Sequence, residues 1–186
     1  MKKIHVMFFL LFVFTGAVFA GWYGLDFKTI ENKKAGYSIE VPLFWEINQD
    51  ELDKTGDFYP VIDQGEGIYI GCYIVKLTGK YDAVKKDIVK GFRKEVFADF
   101  DKMYGKDSLT IKTHKKSSCK KINGIEVCSA VFNYDYKADG PQRTFFGIFK
   151  TKKGAYKVFF SSSPENFEEF YPPFEELVLG KLKLIK

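Results

Sequence analysis

Polar and apolar residues alternate with a period of two along most of the second half of the chain, a pattern typical of β-strands with one buried face. Short turns interrupt the alternation at residues 123–124, 139–141 and 152–154. Turns of this length connect neighbouring antiparallel strands. The pattern therefore predicts an antiparallel meander, with strands at residues 109–119, 125–137, 143–151 and 155–161.

The segment at residues 67–77, GIYIGCYIVKL, is apolar at nearly every position. On a strand, Ile70, Cys72 and Ile74 lie on one face, and Tyr73 and Leu77 lie on the other. A strand with two apolar faces needs cover on both. This segment therefore predicts a sheet packed between two layers.

Weaker alternation near the N-terminus predicts three short strands, at residues 27–31, 36–41 and 44–48. Pro42 ends the second of them because proline has no N–H to donate to a ladder. The segment at residues 49–67 is acidic and contains several glycines. It is predicted to be a loop with one short strand near residues 58–62.

The apolar period changes to about four between residues 81 and 104, where the recurring residues are Val84, Ile88, Phe92, Val96 and Phe100. This predicts one amphipathic helix that faces the core and ends near Gly105. Ser163 followed by Pro164 predicts the start of a second helix. Its predicted end is Pro172-Pro173, followed by a short helix at residues 174–179 and an edge strand at 182–184.

These elements together predict the α+β class: an antiparallel β-sheet with helices packed on both faces, an α/β/α sandwich. The first twenty residues have a basic start, an apolar run and small residues before Gly21, as a secretory signal peptide does. We therefore predict a signal peptide at 1–20 and one domain at 21–186, exported to the periplasm or outside the cell. An uncleaved anchor is the alternative, but Thr15 and Gly16 interrupt an apolar run shorter than the roughly 20 residues that span a bilayer.

Charge gives little support for nucleic-acid binding. The net charge is +5 and falls to +3 when residues 1–20, with Lys2 and Lys3, are removed. Arg93 and Arg143 are the only arginines, although arginine is the residue best suited to bidentate phosphate recognition. We predict that the lysines form a solvated surface with weak attraction to anionic envelopes.

The residues suited to catalysis are few. His114 is the only histidine after the predicted signal peptide, so any Ser-His or Cys-His pair would have to use it. Its neighbours Lys112, Lys115 and Lys116 offer no carboxylate to orient it, and we predict a surface histidine. No spacing indicates a metal or cofactor site, and no pair of carboxylates stands out. We predict a protein that is not an enzyme.

The sequence CKKINGIEVC places Cys119 and Cys128 symmetrically about Asn123-Gly124. A two-residue turn there would place the cysteines directly opposite each other. Export would supply an oxidising compartment, so we predict a Cys119–Cys128 disulfide with a structural role. Cys72 is then the free thiol, buried and unreactive.

The strands of the meander carry many aromatic residues. They are predicted to fill the core, with an apolar-ligand cavity as the alternative. The candidate lining is Phe132, Tyr134, Tyr136, Phe145, Phe149, Tyr156 and Phe159.

Two stretches of the chain, from Gly36 to Trp45 and from Ser163 to Leu184, carry motifs that resemble those of the PsbP-like superfamily, whose photosynthetic member is an extrinsic lumenal subunit of photosystem II. Gly36-Tyr37-Ser38 and Pro42-Leu43-Phe44-Trp45 resemble the family's opening motifs. Its final helix and strand are similar to Ser163-Pro164-Glu165-Asn166-Phe167, Pro173-Phe174-Glu175 and Leu182-Lys183-Leu184. The resemblance implies the sandwich fold, an extracytoplasmic location and a non-enzymatic accessory role, and many bacterial relatives have no assigned function.

We therefore expect an exported binding or accessory module, with a protein partner in the cell envelope and no transmembrane helix after signal cleavage. The alternatives are a carrier of an apolar small ligand and an envelope hydrolase. The sequence predicts no oligomeric state.

Overall fold

The computed structural model of the chain describes residues 22–62, 68, 70–98, 109–136 and 140–185, with only the backbone at Tyr136. The predicted signal peptide and the end of the predicted 81–104 helix lie outside these ranges. The strands are β1 (Phe27–Asn32), β2 (Tyr37–Pro42), β3 (Glu46–Ile47), β4 (Pro60–Val61), β5 (Ile70–Lys76), β6 (Ile111–Ile122), β7 (Ile125–Tyr136), β8 (Gly140–Thr151), β9 (Gly154–Ser162) and β10 (Lys183–Leu184). The helices are α1 (Gln49–Thr55), α2 (Tyr81–Lys86), α3 (Ile88–Val96) and α4 (Pro164–Pro173).

The meander is confirmed as the main part of a five-stranded antiparallel sheet with the order β5-β9-β8-β7-β6. The strands predicted at 27–31 and 36–41 are also confirmed; β1 pairs with β2, and β10 adds to the other side of β2. The main sheet therefore has β5 and β6 as its outer strands, although these two strands follow each other in the chain.

The main sheet is covered on both faces, as predicted. One face packs against α2 and α3 through residues that include Phe92, Phe132 and Phe146, here called the α3-side cluster. The other face packs against β2 and α4 through residues that include Phe160 and Phe167, here called the α4-side cluster. The fold is the predicted α+β sandwich of an antiparallel sheet with helices on both faces.

Strand β5 shows why both layers form. Ile70, Cys72 and Ile74 belong to the α4-side cluster, whereas Leu77 and Tyr73 pack in the α3-side cluster. This division between the two faces is the predicted one. Alternate residues of one strand thus contribute to two separate hydrophobic cores.

The predicted continuous helix at residues 81–104 is wrong, because α2 and α3 are separated by Asp87. Asp87 has an extended backbone, with φ −139° and ψ 84°, and its carboxylate accepts a hydrogen bond from the N–H of Lys90 at 3.0 Å. It therefore caps α3 in place of continuing α2. The apolar period does not reveal this break, because Val84 before Asp87 and Ile88 and Phe92 after it all face the core.

The two helices approach closely at Gly91. A β-carbon added there would lie 2.4 Å from Cγ1 of Val84 in α2. We expect Gly91→Ala to lower the free energy of unfolding by about 1–3 kcal/mol through overpacking. Urea unfolding of Gly91→Ala and of the exposed control Lys90→Ala would measure the effect. Equal stability of both variants and the wild type would contradict this packing.

The predicted loop at residues 49–67 contains α1, which the sequence interpretation missed. Asn48 accepts a hydrogen bond from the N–H of Glu51 at 3.1 Å, and Gly56 ends the helix with φ 79°. Both are ordinary cap residues. The strands predicted at 44–48 and 58–62 shorten to β3 and β4, which pair with each other.

Helix α4 ends at Pro172-Pro173, as predicted, and a short helical segment follows it. The helix includes both prolines, and the chain continues into a π-helical turn at Phe174–Val178 and a 3₁₀ turn at Leu179–Lys181. Proline lacks the N–H that an α-helix requires. A change to wider hydrogen-bond spacing directly after the prolines keeps the chain helical.

Candidate binding surface

Strand β6 concentrates positive charge on one side of the molecule. Its twelve residues include no acid, and residues from Lys112 to Lys121 are exposed. Among the described residues its only strand partner is β7. We call this surface the basic edge, formed by Lys112, His114, Lys115, Lys116, Lys120 and Lys121.

Two cationic side chains of the basic edge lie over α4 and the turn after it. The Nζ atom of Lys115 is 5.7 Å from the centre of the Tyr171 ring, and Lys120 forms an ion pair with Glu175. Their direction follows from the register, which places Lys115 opposite Val131 and Lys120 opposite Val127. Both valines belong to the α4-side cluster.

Arg143 of β8 extends this basic surface inward. Its Nε donates to Oδ1 of Asn133 at 2.8 Å, its Nη1 is paired with Glu168 of α4, and its side chain is 15 % exposed. These partners restrict the guanidinium to one orientation. The sequence alone could not place Arg143 on this surface, because its partners lie on other elements.

His114 is an exposed residue, as predicted, but it has an acidic neighbour. Its Nε2 lies 3.9 Å from Oε1 of Glu168, which also binds Arg143. None of its neighbours in the sequence supplies this carboxylate. Helix α4 brings Glu168 to β6 from a distant part of the chain.

Two hollows lie beside the basic edge. The larger has a volume of about 460 Å³ and is lined by Thr110, Lys112, Asn133, Tyr134, Asp135, Pro141, Gln142 and Pro164. The smaller, of about 120 Å³, lies between β6 and α4 and is lined in part by Lys115, Lys120, Tyr171 and Glu175. Cations and hydrogen-bonding groups predominate along this edge, which suits an anionic, extended ligand.

The hairpin that carries the basic edge has the predicted register. Ile122 faces Ile125 and Cys119 faces Cys128, with positive φ of 48° at Asn123 and 84° at Gly124. This is the two-residue turn in which both central residues have positive φ. The Asn123 side-chain amide donates to the carbonyls of Gly180 at 2.9 Å and Leu182 at 3.1 Å. The turn is thereby attached to the C-terminal segment.

Cys119 and Cys128 are at disulfide distance, with their Cα atoms 4.0 Å apart. Glu126 offers a carboxylate oxygen within 4.8 Å of the cysteine sulfurs, so these residues form a potential metal-ligand group. The sulfurs are bonded to each other, and Lys85 holds the pKa of Glu126 below its usual value through a hydrogen bond and its charge. While the disulfide is formed, the only ligand that these three residues present is the Glu126 carboxylate, which is already paired with Lys85.

We expect thiol titration of the unfolded, unreduced protein to find one free cysteine, Cys72, whose pKa is raised by burial. The paired variant Cys119→Ser/Cys128→Ser should lower the free energy of unfolding by about 2.5 kcal/mol, since it removes a short covalent loop. Denaturant titration without reductant measures this loss. Three reactive thiols in the wild type would show that the pair is not oxidised.

The candidate lining residues do not surround one cavity. Phe145, Phe149 and Tyr156 lie in the α4-side cluster, and Phe132, Tyr134 and Phe159 lie in the α3-side cluster. The sheet separates the two groups, and the side chain of Tyr136 is outside the described residues. Rings stack on one another: Phe132 on Phe92 at 4.3 Å and Phe159 on Tyr73 at 4.5 Å between centres.

A buried ion pair lies on the opposite face from α4. Lys157 of β9 donates to the Glu95 carboxylate at 3.0 Å, and the two side chains are 9 % and 1 % exposed. Burial alone would raise the pKa of Glu95, but the N–H groups of Thr78 and Gly79 together with Lys157 hold it below its usual value. The pair joins α3 to β9 and to the chain after β5.

Comparison with known proteins shows the fold. No family model and no curated protein matches the chain. The solution structure of cyanobacterial PsbP (CyanoP) from Synechocystis sp. PCC 6803 is similar with a TM-score of 0.60 and 12% identity, over 88% of this chain and 96% of that one. A Pseudomonas aeruginosa protein of unknown function, described as a putative regulator, aligns with a TM-score of 0.46 and 15% identity, over 81% and 92% of the two chains.

The likeness to cyanobacterial PsbP shows that the chain has a PsbP-like fold. At this identity the likeness concerns architecture, because one fold can host unrelated functions. None of the helices in the described residues is long and apolar enough to cross a bilayer.

Proposed function

We propose that this protein is an exported, non-enzymatic accessory module that binds an acidic protein partner in the cell envelope through the basic edge. The observation that carries the proposal is the unbroken exposure of Lys112 to Lys121 on an outer strand without acidic residues. Surface charges of one sign steer an oppositely charged partner and set its orientation.

The neighbours of the basic edge support a binding role. Arg143 is held by Asn133 and Glu168, and Lys120 is held by Glu175. Side chains that are already ordered lose less conformational entropy when a partner binds. The disulfide keeps the two strands of the hairpin together at its turn.

Export is the second part of the proposal. It is supported by the signal-like segment at residues 1–20 and by the bonded cysteine pair, which an oxidising compartment favours. The apolar-carrier alternative loses the observation that suggested it, because the described candidate rings lie in two clusters on opposite faces of the sheet.

Charge reversal tests the proposal. The variant Lys112→Glu/Lys116→Glu should recover at least about tenfold less partner from cross-linked envelope extract than the wild type, since exposed charges dominate the encounter. The matched control Lys152→Glu/Lys153→Glu changes two lysines that are also exposed, in the β8–β9 turn. Quantitative mass spectrometry of the captured proteins is the measurement. Equal recovery by all three proteins would overturn the proposal.

A further inference from the structure

We propose that the acidic partner binds as an extended strand that adds to the main sheet beside β6. This inference rests on the proposed function and specifies its partner: a segment of polypeptide rich in Asp or Glu, in β conformation. Outer strands accept such segments through main-chain hydrogen bonds.

The register shows which backbone groups of β6 are available. In an antiparallel pair, residues alternate between those bonded to the partner strand and those whose N–H and C=O point the other way. Ile122 and Ile125 flank the two-residue turn as a bonded pair, so Lys121 and Cys119 face outward. β7 pairs with β8 without a break, which makes Lys112–Asn133 a bonded pair and turns Thr113 outward.

Strand β6 stays extended from Ile111 to Ile122, although its register against β7 shifts between Thr113 and Ser118. Twelve residues exceed the length of a typical strand, which is about five to six residues. Outward N–H groups therefore occur on both sides of the shifts, at Thr113 and at Cys119 and Lys121. An added strand has donors at both ends of the basic edge.

Charge decides which strand can use this edge. Lysines on an outer strand oppose pairing with a second copy of the same strand, because like charges would face each other. β6 carries lysines at five positions and no acid, so a second β6 is disfavoured. An acidic strand would meet opposite charges at those positions. The lysines thus disfavour pairing between two β6 strands and favour an acidic partner.

The hollows beside β6 give alternate residues of the added strand a place to lie. Side chains on one face of that strand would point toward α4, where Lys115 and Lys120 border the smaller hollow. The larger hollow lies at the Lys112 end of the strand. Acidic residues at every second position fit this arrangement best.

The test uses a labelled peptide of about ten residues with alternating Glu and Thr, and a second peptide of the same sequence in which every backbone nitrogen is methylated. Both carry the same charge, but the methylated peptide has no N–H to donate to a ladder. Fluorescence anisotropy should show binding of the first peptide and at least about tenfold weaker binding of the second. Hydrogen exchange at Thr113, Cys119 and Lys121 should slow when the first peptide is added.

Protein variants separate strand pairing from charge. Thr113→Pro removes one outward N–H and keeps every charge, so it should weaken binding of the Glu-Thr peptide, whereas Thr113→Ala should not. Equal binding of both peptides, or unchanged exchange at the outward amides of the wild type, would overturn strand addition. Circular dichroism would check the fold of the variants, and the exchange measurement does not depend on them.

The outcomes distinguish this inference from the proposed function. If both peptides bind equally and Lys112→Glu/Lys116→Glu loses both, the basic edge binds acidic chains without strand addition. If that variant still captures the envelope partner, the proposed function itself is wrong. Tighter binding to vesicles containing anionic lipid than to the Glu-Thr peptide would assign the basic edge to a membrane surface and overturn both.

Discussion

The variant Glu95→Ala should lower the free energy of unfolding by about 3–5 kcal/mol, the usual loss when one partner of a buried ion pair is removed. The Glu95 carboxylate is 1 % exposed and accepts hydrogen bonds from Thr78, Gly79 and Lys157. Within the described part of the chain, its removal leaves the buried Lys157 ammonium with the backbone carbonyl of residue 95, at 2.7 Å, as its remaining acceptor. Urea unfolding followed by tryptophan fluorescence would measure the loss.

Two control variants identify the cause of this loss of stability. Glu169→Ala removes an exposed carboxylate and should change stability by less than about 0.5 kcal/mol. The double variant Glu95→Gln/Lys157→Met removes both charges and should recover most of the lost stability. A double variant as unstable as Glu95→Ala would show that the charge left unpaired is not the cause.

The Glu95–Lys157 pair also predicts that the free energy of unfolding depends on pH in the acid range. Because the folded pKa of Glu95 is lowered, its stabilising contribution is complete above the unfolded pKa and is lost as the pH falls through the folded value. The difference in stability between the wild type and Glu95→Gln should therefore shrink in acid. A difference that is constant from neutral pH into acid would contradict the assignment.

The variant Phe160→Ala should also cost about 3–5 kcal/mol, as expected for truncating a large side chain in a rigid core. Phe160 is fully buried at the centre of the α4-side cluster. Its ring stacks on Phe174 at 4.5 Å and lies 5.9 Å from Phe167 and 6.2 Å from Trp22, so three segments lose contact with it.

Phe44→Ala is the matched control, because Phe44 is 38 % exposed. It should change the free energy of unfolding by less than about 0.5 kcal/mol. Chemical denaturation of both variants makes the comparison. A loss below about 1 kcal/mol in Phe160→Ala would mean that the α4-side cluster can repack around the missing ring.

The proposed binding surface was only partly visible in the sequence. The lysines of β6 are plain from SLTIKTHKKSSCKKI, and a strand was predicted over residues 109–119, which include three of them. Arg143, Asn133 and Glu168 could not be assigned to the same surface, because they lie on other elements. The aromatic residues of the meander show the opposite. The sequence grouped them as one candidate cavity lining, but the sheet separates them into two clusters.

Local interactions explain what the sequence determined. Asn123-Gly124 adopts positive φ at both residues and thereby sets the register of β6 and β7, including the facing cysteines. The two apolar faces of β5, which require a layer on each side, are likewise a local property, because they follow from the alternation of neighbouring residues along the strand. Even α1 had local signals in Asn48 and Gly56, which the acidic composition of the segment obscured.

Only the tertiary structure decided which distant groups meet. The Glu95–Lys157 pair, the contact of Glu168 with both Arg143 and His114, and the attachment of Asn123 to the C-terminal segment each join residues more than fifty positions apart or on separate layers. Backbone propensity acts over a few residues, whereas these contacts depend on how whole layers pack. The sequence therefore determined the sandwich and its disulfide hairpin, and packing alone formed the buried ion pair and the neighbourhood of the basic edge.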